Sequence, residues 1–439
     1  MFKEMSKFQL LVIGFFAFAI VGGLLTFSLA KGRQGADVPL VTIWGTLEQG
    51  PVLSFVQSVV SDTKNQIRVQ YRYISPESFD ARLLEALATG NGPDAILVTQ
   101  ESLLKNANKI RTIPYSAYPE VDFKSSFLPE AELFLNPNGV MAVPFAIDPM
   151  VMYWNRRHFT NANISVPPKY WDQFVNMAPS LTLKDEAGNI TQSAVAFGEY
   201  ANIEHAKDIL SMLMLQAGNP IVAYSSIGYK STLIQSLDAT LLPTDSALTY
   251  YTQFADPRKE VYSWNRALKN STSQFLADKL SMYFGYASEL SELRAKNPNL
   301  DFDVTVVPQP RTQAGAPAVN VTHGRLYGFA LLASSPNPSA ALNAISYMTT
   351  ANSLAYWSEL SGLPAVRRDA LEADPADAAS SIFARSALIS KGWLDPDDNA
   401  TNKIFQTMIE SVTSGRALNT EALSDAKNEI DDLLDVINK

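Results

Sequence analysis

VPLVTIWGTLEQGPVLSFVQSVVSDTKNQIRVQYRYISPESFDARLLEALATGNGPDAILV, residues 38–98, carries the pattern that decides the fold. Val38 to Trp44 reads as a buried strand and Gly45 to Gly50 as a turn. Pro51 then stands at a first helical position, with Leu53, Val56, Val59 and Val60 at helical spacing behind it. Ile67 to Tyr73 sets apolar and aromatic residues on one strand face. Ser75-Pro76 opens a helix whose apolar stripe is Phe79, Leu83, Leu84 and Leu87. Gly90-Asn91-Gly92-Pro93-Asp94 ends that helix, and Ala95 to Val98 is a third short strand. Strand, helix, strand, helix, strand with short links makes a parallel sheet covered on both faces. Such a sheet holds ligands beyond the carboxyl ends of its strands.

Downstream, Val140 to Trp154 reads as two extended runs with prolines, suited to a crossover between lobes. Helices are expected at Trp171 to Met177, His205 to Gln216, Thr244 to Ala255, Ala340 to Thr350 and Ser353 to Leu360. An extended run follows at Asp303 to Pro308, and the tail closes with helices over Asn402 to Ser414 and Thr420 to Ile437, Thr420 serving as N-cap. No internal repeat or low-complexity tract is visible. A length of 439 residues suits two or three domains with cores that need no metal or disulfide.

Composition removes whole classes of chemistry. The absence of cysteine excludes disulfides, thiolate metal sites, a cysteine nucleophile and a cysteine-linked lipid anchor. The three histidines, His158, His205 and His323, are not spaced to share a metal on one helix. A net charge of -9 without clustered Lys and Arg argues against nucleic acid. The charge is unevenly spread, because residues 1–35 hold four basic residues and one acid; the remainder carries 31 basic against 43 acidic residues, or -12. Within residues 1–35, the 23 residues from Phe8 to Ala30 carry no charge. As a helix they would reach roughly 35 Å, enough to span a bilayer core of about 30 Å. Ser28-Leu29-Ala30 offers a signal-peptidase site, but the run exceeds the roughly 7–15 residues of a signal core, which favours an uncleaved anchor. The large domain is then expected on the extracytoplasmic side of the cell membrane.

Taken in order, Trp44 at the end of the first strand, Gly90-Asn91-Gly92-Pro93-Asp94-Ala95-Ile96, Val143-Pro144-Phe145-Ala146-Ile147-Asp148 and Met152-Tyr153-Trp154-Asn155-Arg156 resemble the extracellular solute-binding proteins of ATP-binding-cassette importers, the maltose-binding type in particular. Val166-Pro167-Pro168 ahead of Trp171-Asp172-Gln173-Phe174 is similar to that family's Pro-Pro-x-Thr-Trp-x-x-Phe. Phe275 to Met282 is similar to its Phe-x-x-Gly-Lys-x-Ala-Met, and Ser414-Gly415-Arg416 with Glu421-Ala422-Leu423 to its closing helices. The likeness runs over about residues 39 to 437 and rests on collinear order. It implies an α/β, two-lobed, periplasmic-binding-protein-like fold with a hinge and an interlobe cleft. The first lobe takes residues 39–147 and about 303–350, the second 148–302 and about 351–439, behind the N-terminal anchor or signal segment 1–35. Two departures stand out. Val98 occupies the place of an aromatic in maltodextrin binders, and Phe284 and Tyr286 replace paired tryptophans, so maltodextrin specificity is not implied.

A sugar site needs carboxylates, amides or guanidinium groups for paired hydrogen bonds and aromatic rings for stacking. Trp44 and Glu48 follow the first strand; each serves equally as cleft group or as core tryptophan and solvated loop acid. By the resemblance, Glu101 and Asp148 sit where the family places ligand-bonding acids. Tyr153, rather than its neighbour Trp154, is assigned to the cleft because adjacent strand residues face opposite sides. Tyr200, Phe284, Tyr286 and Trp357 are stacking candidates, and Arg325 a clamp; for each the competing role is core packing or ion pairing. Asp94 is read as a turn residue that bonds local amides, Arg367 as a surface ion-pair partner, and His323 as a local hydrogen-bonding group.

The expected function is the extracytoplasmic substrate-binding component of an importer, capturing a sugar or oligosaccharide and delivering it to membrane permease subunits. A monomer without cofactor, metal or catalytic residues suffices for this. Two alternatives remain: a membrane-anchored sensor or binder of a non-sugar solute, and an enzyme cleaving glycosides with Glu48, Glu101 or Asp148. The second lacks any Gly-x-Ser-x-Gly, phosphate-loop or His-Glu-x-x-His motif in its support.

Overall fold

A computed structural model describes residues 38–236, 242–311, 320–371 and 377–439; the apolar run Phe8 to Ala30 lies outside them. The opening unit is β1 (Leu40–Gly45), α1 (Gln49–Asp62), β2 (Arg68–Tyr73), α2 (Pro76–Ala88) and β3 (Ala95–Thr99). β1 lies parallel to both β2 and β3, so the order is β2-β1-β3, as expected of a doubly wound sheet. Gly90, at φ +72, ends α2 in a conformation that costs other residues more. Asp94 is structural, but its partners are distant in sequence rather than local amides: its carboxylate accepts the Thr42 amide at 2.9 Å and the Ser335 hydroxyl at 2.6 Å.

The sheet does not stop at the first lobe. The two extended runs expected over residues 140–154 are largely one strand, β4 (Val143–Asn155), with Pro149 inside it. The remaining principal strands are β5 (Ile190–Val195), β6 (Leu280–Tyr286), β7 (Phe302–Thr305) and β8 (Thr322–Leu331). β8 runs antiparallel to β3 along its second half and to the first half of β4, with Arg325 opposite Asp148 and Gly324 opposite Pro149. The second half of β4 pairs antiparallel with β6, which pairs parallel with β5. The order β2-β1-β3-β8-β4-β6-β5 therefore forms one continuous sheet through two α/β lobes.

Each lobe has its own core. Phe55, Phe145, Phe329 and Trp357 lie in the first, and Trp171, Phe174, Phe197, Phe254 and Phe284 in the second. Helices α3 (Trp171–Leu181) and α4 (Ala206–Gln216) belong to the second; all eleven residues of α4 are buried. Helix α5 (Ala351–Ser361) sends Leu354 and Trp357 into the first core, whereas Val304 of β7 joins the second. Core membership thus changes near residues 322 and 366, not at the expected 303 and 351, because β7 is held by β4 and α5 packs on α1. The tail is α6 (Asp398–Thr413) and α7 (Asn419–Ile437). α7 begins one residue ahead of Thr420, with Leu418 at the N-cap position and the Glu421 carboxylate accepting its amide at 2.9 Å.

Candidate functional site

Where β4 and β8 cross between the lobes, two adjoining recesses of about 340 and 460 Å³ share Glu101, Arg325 and Asp398 as walls. The first lobe supplies Glu101 just past β3, β8 supplies Arg325, and the second lobe supplies Asp398 at the start of α6. Arg325 spans the gap. Its guanidinium lies 3.5 Å from Glu101 Oε2, 3.4 Å from Asp208 Oδ2, and 4.4 Å from the centre of the Tyr286 ring. Its buried Nε is the atom nearest Glu101, a charge contact whose geometry falls short of a hydrogen bond.

The floor beneath Arg325 is a polar network. The Tyr286 hydroxyl donates to Asp208 at 2.7 Å and stands 3.0 Å from His323 Nδ1. Lys207, also buried, donates to Asp395 at 2.8 Å and contacts Asp398. A cation in the first turn of α4 opposes the helix dipole, so these carboxylates are needed to hold it there. His205, at the N-cap of α4, adopts φ 60, a left-handed conformation costly for a non-glycine residue, and is fixed by Glu289 at 2.8 Å. Burial opposes the charged His205 ring, but the Glu289 carboxylate lifts its pKa above the usual histidine value. Burial holds His323 down to about 4, leaving a neutral ring at neutral pH. Asp208 resists burial because His323, Arg325 and Lys207 keep its carboxyl well below the usual range. Burial pushes Glu101 up to about 7 despite Arg325, and Asp148 up to about 6 despite the Ser288 amide it accepts at 3.0 Å. The arrangement offers fixed charges, hydroxyls and amides to a polar guest. Among the described residues no group of three or more acidic or histidine side chains is placed to hold a metal ion.

A family model described as bacterial extracellular solute-binding protein matches residues 61–384. The chain belongs to this family. Binding proteins of Brucella abortus (strain 2308) and Brucella suis biovar 1 (strain 1330) are each 20% identical to this solute-binding protein over 431 residues, covering 94% of it and 97% of their own length. Among solved structures, a cyclo/maltodextrin-binding protein complexed with maltotetraose has a TM-score of 0.69 at 16% identity, covering 90% of this chain and 97% of that one. A transporter solute-binding protein from Thermotoga lettingae bound with alpha-D-tagatose gives 0.65 at 19% identity, over 90% and 99%. A substrate-binding protein from Listeria monocytogenes in complex with cycloalternan gives 0.65 at 15%, over 90% and 99%. At these identities the structures establish the two-lobed fold.

Within the solute-binding protein, the sequence candidates divide sharply. Glu101, Tyr200 and Arg325 line the cleft together, and Tyr286 and Asp148 lie directly behind Arg325. Four aromatic candidates do not reach it. Trp44 is buried in the first core beneath Arg72, 5.0 Å from its ring centre, because it lies on the covered face of β1. Tyr153 is fully buried and donates to the Tyr286 carbonyl at 2.7 Å; Trp154 packs on Phe159 instead, so neither neighbour enters the cleft. Phe284 stacks on Trp171 and Trp357 packs between Phe55 and Phe145, both core roles. Glu48 is an exposed residue at the N-cap of α1 and lines neither recess. Sequence reasoning missed Lys207, Asp208, Asp398 and Asn402, which line the cleft, and His205, which it set aside. A usable signal existed: Lys207-Asp208 are adjacent charges at the head of a mostly apolar helix, and charges buried there demand partners.

Proposed function

We propose that this protein is the substrate-binding component of an ATP-binding-cassette importer and that its solute is a carbohydrate. The observation that carries the reading is the cleft at Arg325: its guanidinium, the Glu101 and Asp398 carboxylates, and the amides of Asn402 and Asn270 converge on one recess between two lobes. Hydroxyl-rich ligands are recognised by such convergent donors and acceptors, and both recesses fall in the roughly 300–1,000 Å³ range of small-molecule sites. Tyr200, Phe79 and Tyr327 provide the few ring surfaces, which suits a short sugar better than a long chain. That the structural neighbours hold maltotetraose, tagatose and cycloalternan supports the class. Ligand capture draws the lobes together about the β4 and β8 crossing, and the closed form docks on the permease. No group performs chemistry in this cycle. The protein acts as a monomer, tethered by the sequence Phe8 to Ala30 with its lobes outside the cytoplasm.

Calorimetry and thermal-shift measurements over a panel of mono- to tetrasaccharides test the reading. Saturable binding of a sugar, weakened at least tenfold by Glu101→Gln with Asn402→Ala, is expected. Binding of another solute class with no response to any sugar would overturn it.

A further inference from the structure

We infer that the protein has a second ligand site on the far side of the hinge, a groove that takes a small neutral hydroxylated ring. The groove measures about 600 Å³ and shares no lining residue with the cleft. Both lobes build it. Tyr115 and Leu135 belong with the first core, Val222 and Tyr229 with the second, and Leu394 packs against both.

Three features fix the chemistry of the guest. Tyr224 and Tyr229 stand opposite each other in a hairpin, rings edge to face at 4.9 Å, and Tyr224 is 58% exposed, so a ring surface is offered to the groove. Glu130, in the groove wall, is only 4% exposed; burial pushes its carboxyl up to about 8 despite the nearby Gly392 amide, and its Oε1 makes no hydrogen bond of good geometry among the described residues. A hydroxyl donor from a guest satisfies that acceptor, whose isolation otherwise costs stability. The charged lining is nearly balanced, Lys124 and Lys391 against Glu120, Glu130 and Glu132, with Lys124 paired to Glu120 at 2.9 Å and Glu132 at 3.2 Å, so no strong excess of either sign selects an ion. An apolar face for tyrosine and hydroxyls at the edge together describe a sugar or cyclic polyol. This follows from the groove's own lining and stands apart from the nature of the solute in the cleft.

The groove also reports on the hinge. Gly392 passes between Glu130 and Gln100: a Cβ there would lie 2.7 Å from Glu130 Oε1 and 3.1 Å from Gln100 Nε2. Gln100 in turn clamps β8, donating to the Gly324 carbonyl at 2.9 Å and accepting the Leu326 amide at 2.8 Å. A guest that touches both lobes binds one lobe angle better than another, and by reciprocity its occupancy shifts the affinity of the cleft.

Isothermal calorimetry on the full chain in detergent, with mannobiose, maltose and tagatose as probes up to about 10 mM, tests the inference. Two variants separate the sites: Glu101→Gln with Asn402→Ala for the cleft, and Tyr224→Ala, an exposed hairpin position, for the groove. We expect at least one probe to show a binding event that survives the cleft variant and weakens about tenfold or more in Tyr224→Ala, with the cleft event retained. If no probe shows an event that survives the cleft variant, or if such an event is unmoved by Tyr224→Ala, the groove is not a sugar site. Loss of the cleft reading shows separately, as the absence of any event sensitive to the cleft variant.

Discussion

Replacing Arg325 by methionine removes the charge that holds Glu101, Asp208 and the Tyr286 ring in one arrangement. At 3.4 and 3.5 Å, and with an effective dielectric of about 20, each carboxylate contact is worth about 5 kcal/mol before desolvation. Methionine spares the cost of burying the guanidinium, which cancels much of that, so a net loss of about 3 kcal/mol is expected with both acids charged. The loss depends on pH. Glu101 titrates near 7 in the folded protein, raised by burial from the ordinary carboxylate value. A raised acid favours the folded state when protonated, so its contribution to stability declines as pH climbs from the unfolded value to the folded one. Without Arg325 the folded pKa rises further and the decline extends to higher pH. Asp208 stays charged throughout, held low by His323 and Lys207. The variant's deficit should therefore be about 3 kcal/mol near pH 8 and about 2 kcal/mol near pH 5.5. Urea unfolding followed by tryptophan fluorescence measures both. A deficit below about 1 kcal/mol at both values, or one larger in acid, would refute the bridging role assigned to Arg325.

Sugar affinity should fall as pH drops below about 7 in the wild type, since a ligand hydroxyl donating to Glu101 favours its charged form, and calorimetry on Glu101→Gln should give a flat profile over the same range. Gln100→Ala strands the Gly324 carbonyl and the Leu326 amide, and should lower stability by about 2–4 kcal/mol in thermal melts. Trp357→Ala should cost about 3–5 kcal/mol through the void left between Phe55 and Phe145, with the dissociation constant for the sugar unchanged wherever the variant is folded. A changed constant would return Trp357 to the cleft.

The first lobe was legible because its strands and helices are amphipathic in different periods, and nothing distant is needed to read Ile67 to Tyr73 or Phe79 to Leu87. The crossing was half legible. The prolines of Val143 to Trp154 signalled a junction, but Pro149 sits inside a continuous strand, at the point where β4 changes partner from β8 to β6 and a missing amide disturbs neither ladder's interior. Aromatic candidates failed for one physical reason. Trp44, Tyr153, Phe284 and Trp357 are large apolar surfaces, and a core recruits them before a cleft does. Glu101 was legible only through the family resemblance and Arg325 only as a clamp or an ion-pair partner; in the structure the two pair with each other. Asp208 and Lys207 escaped because a charge in the first turn of a helix normally faces water, and only packing on all sides of α4 turns it inward.

The strand order has a consequence for synthesis. The first core needs β8 to cover the open edge of β3, and α5 to close over Phe55 and Phe145. Both come from residues after 321, so about 170 residues of second-lobe sequence leave the ribosome before the first sheet has its last inner strand. Contacts this distant in sequence close slowly. A nascent chain that ends before β8 carries an unpaired strand edge, and the N-terminal lobe is completed after most of the C-terminal one has been made.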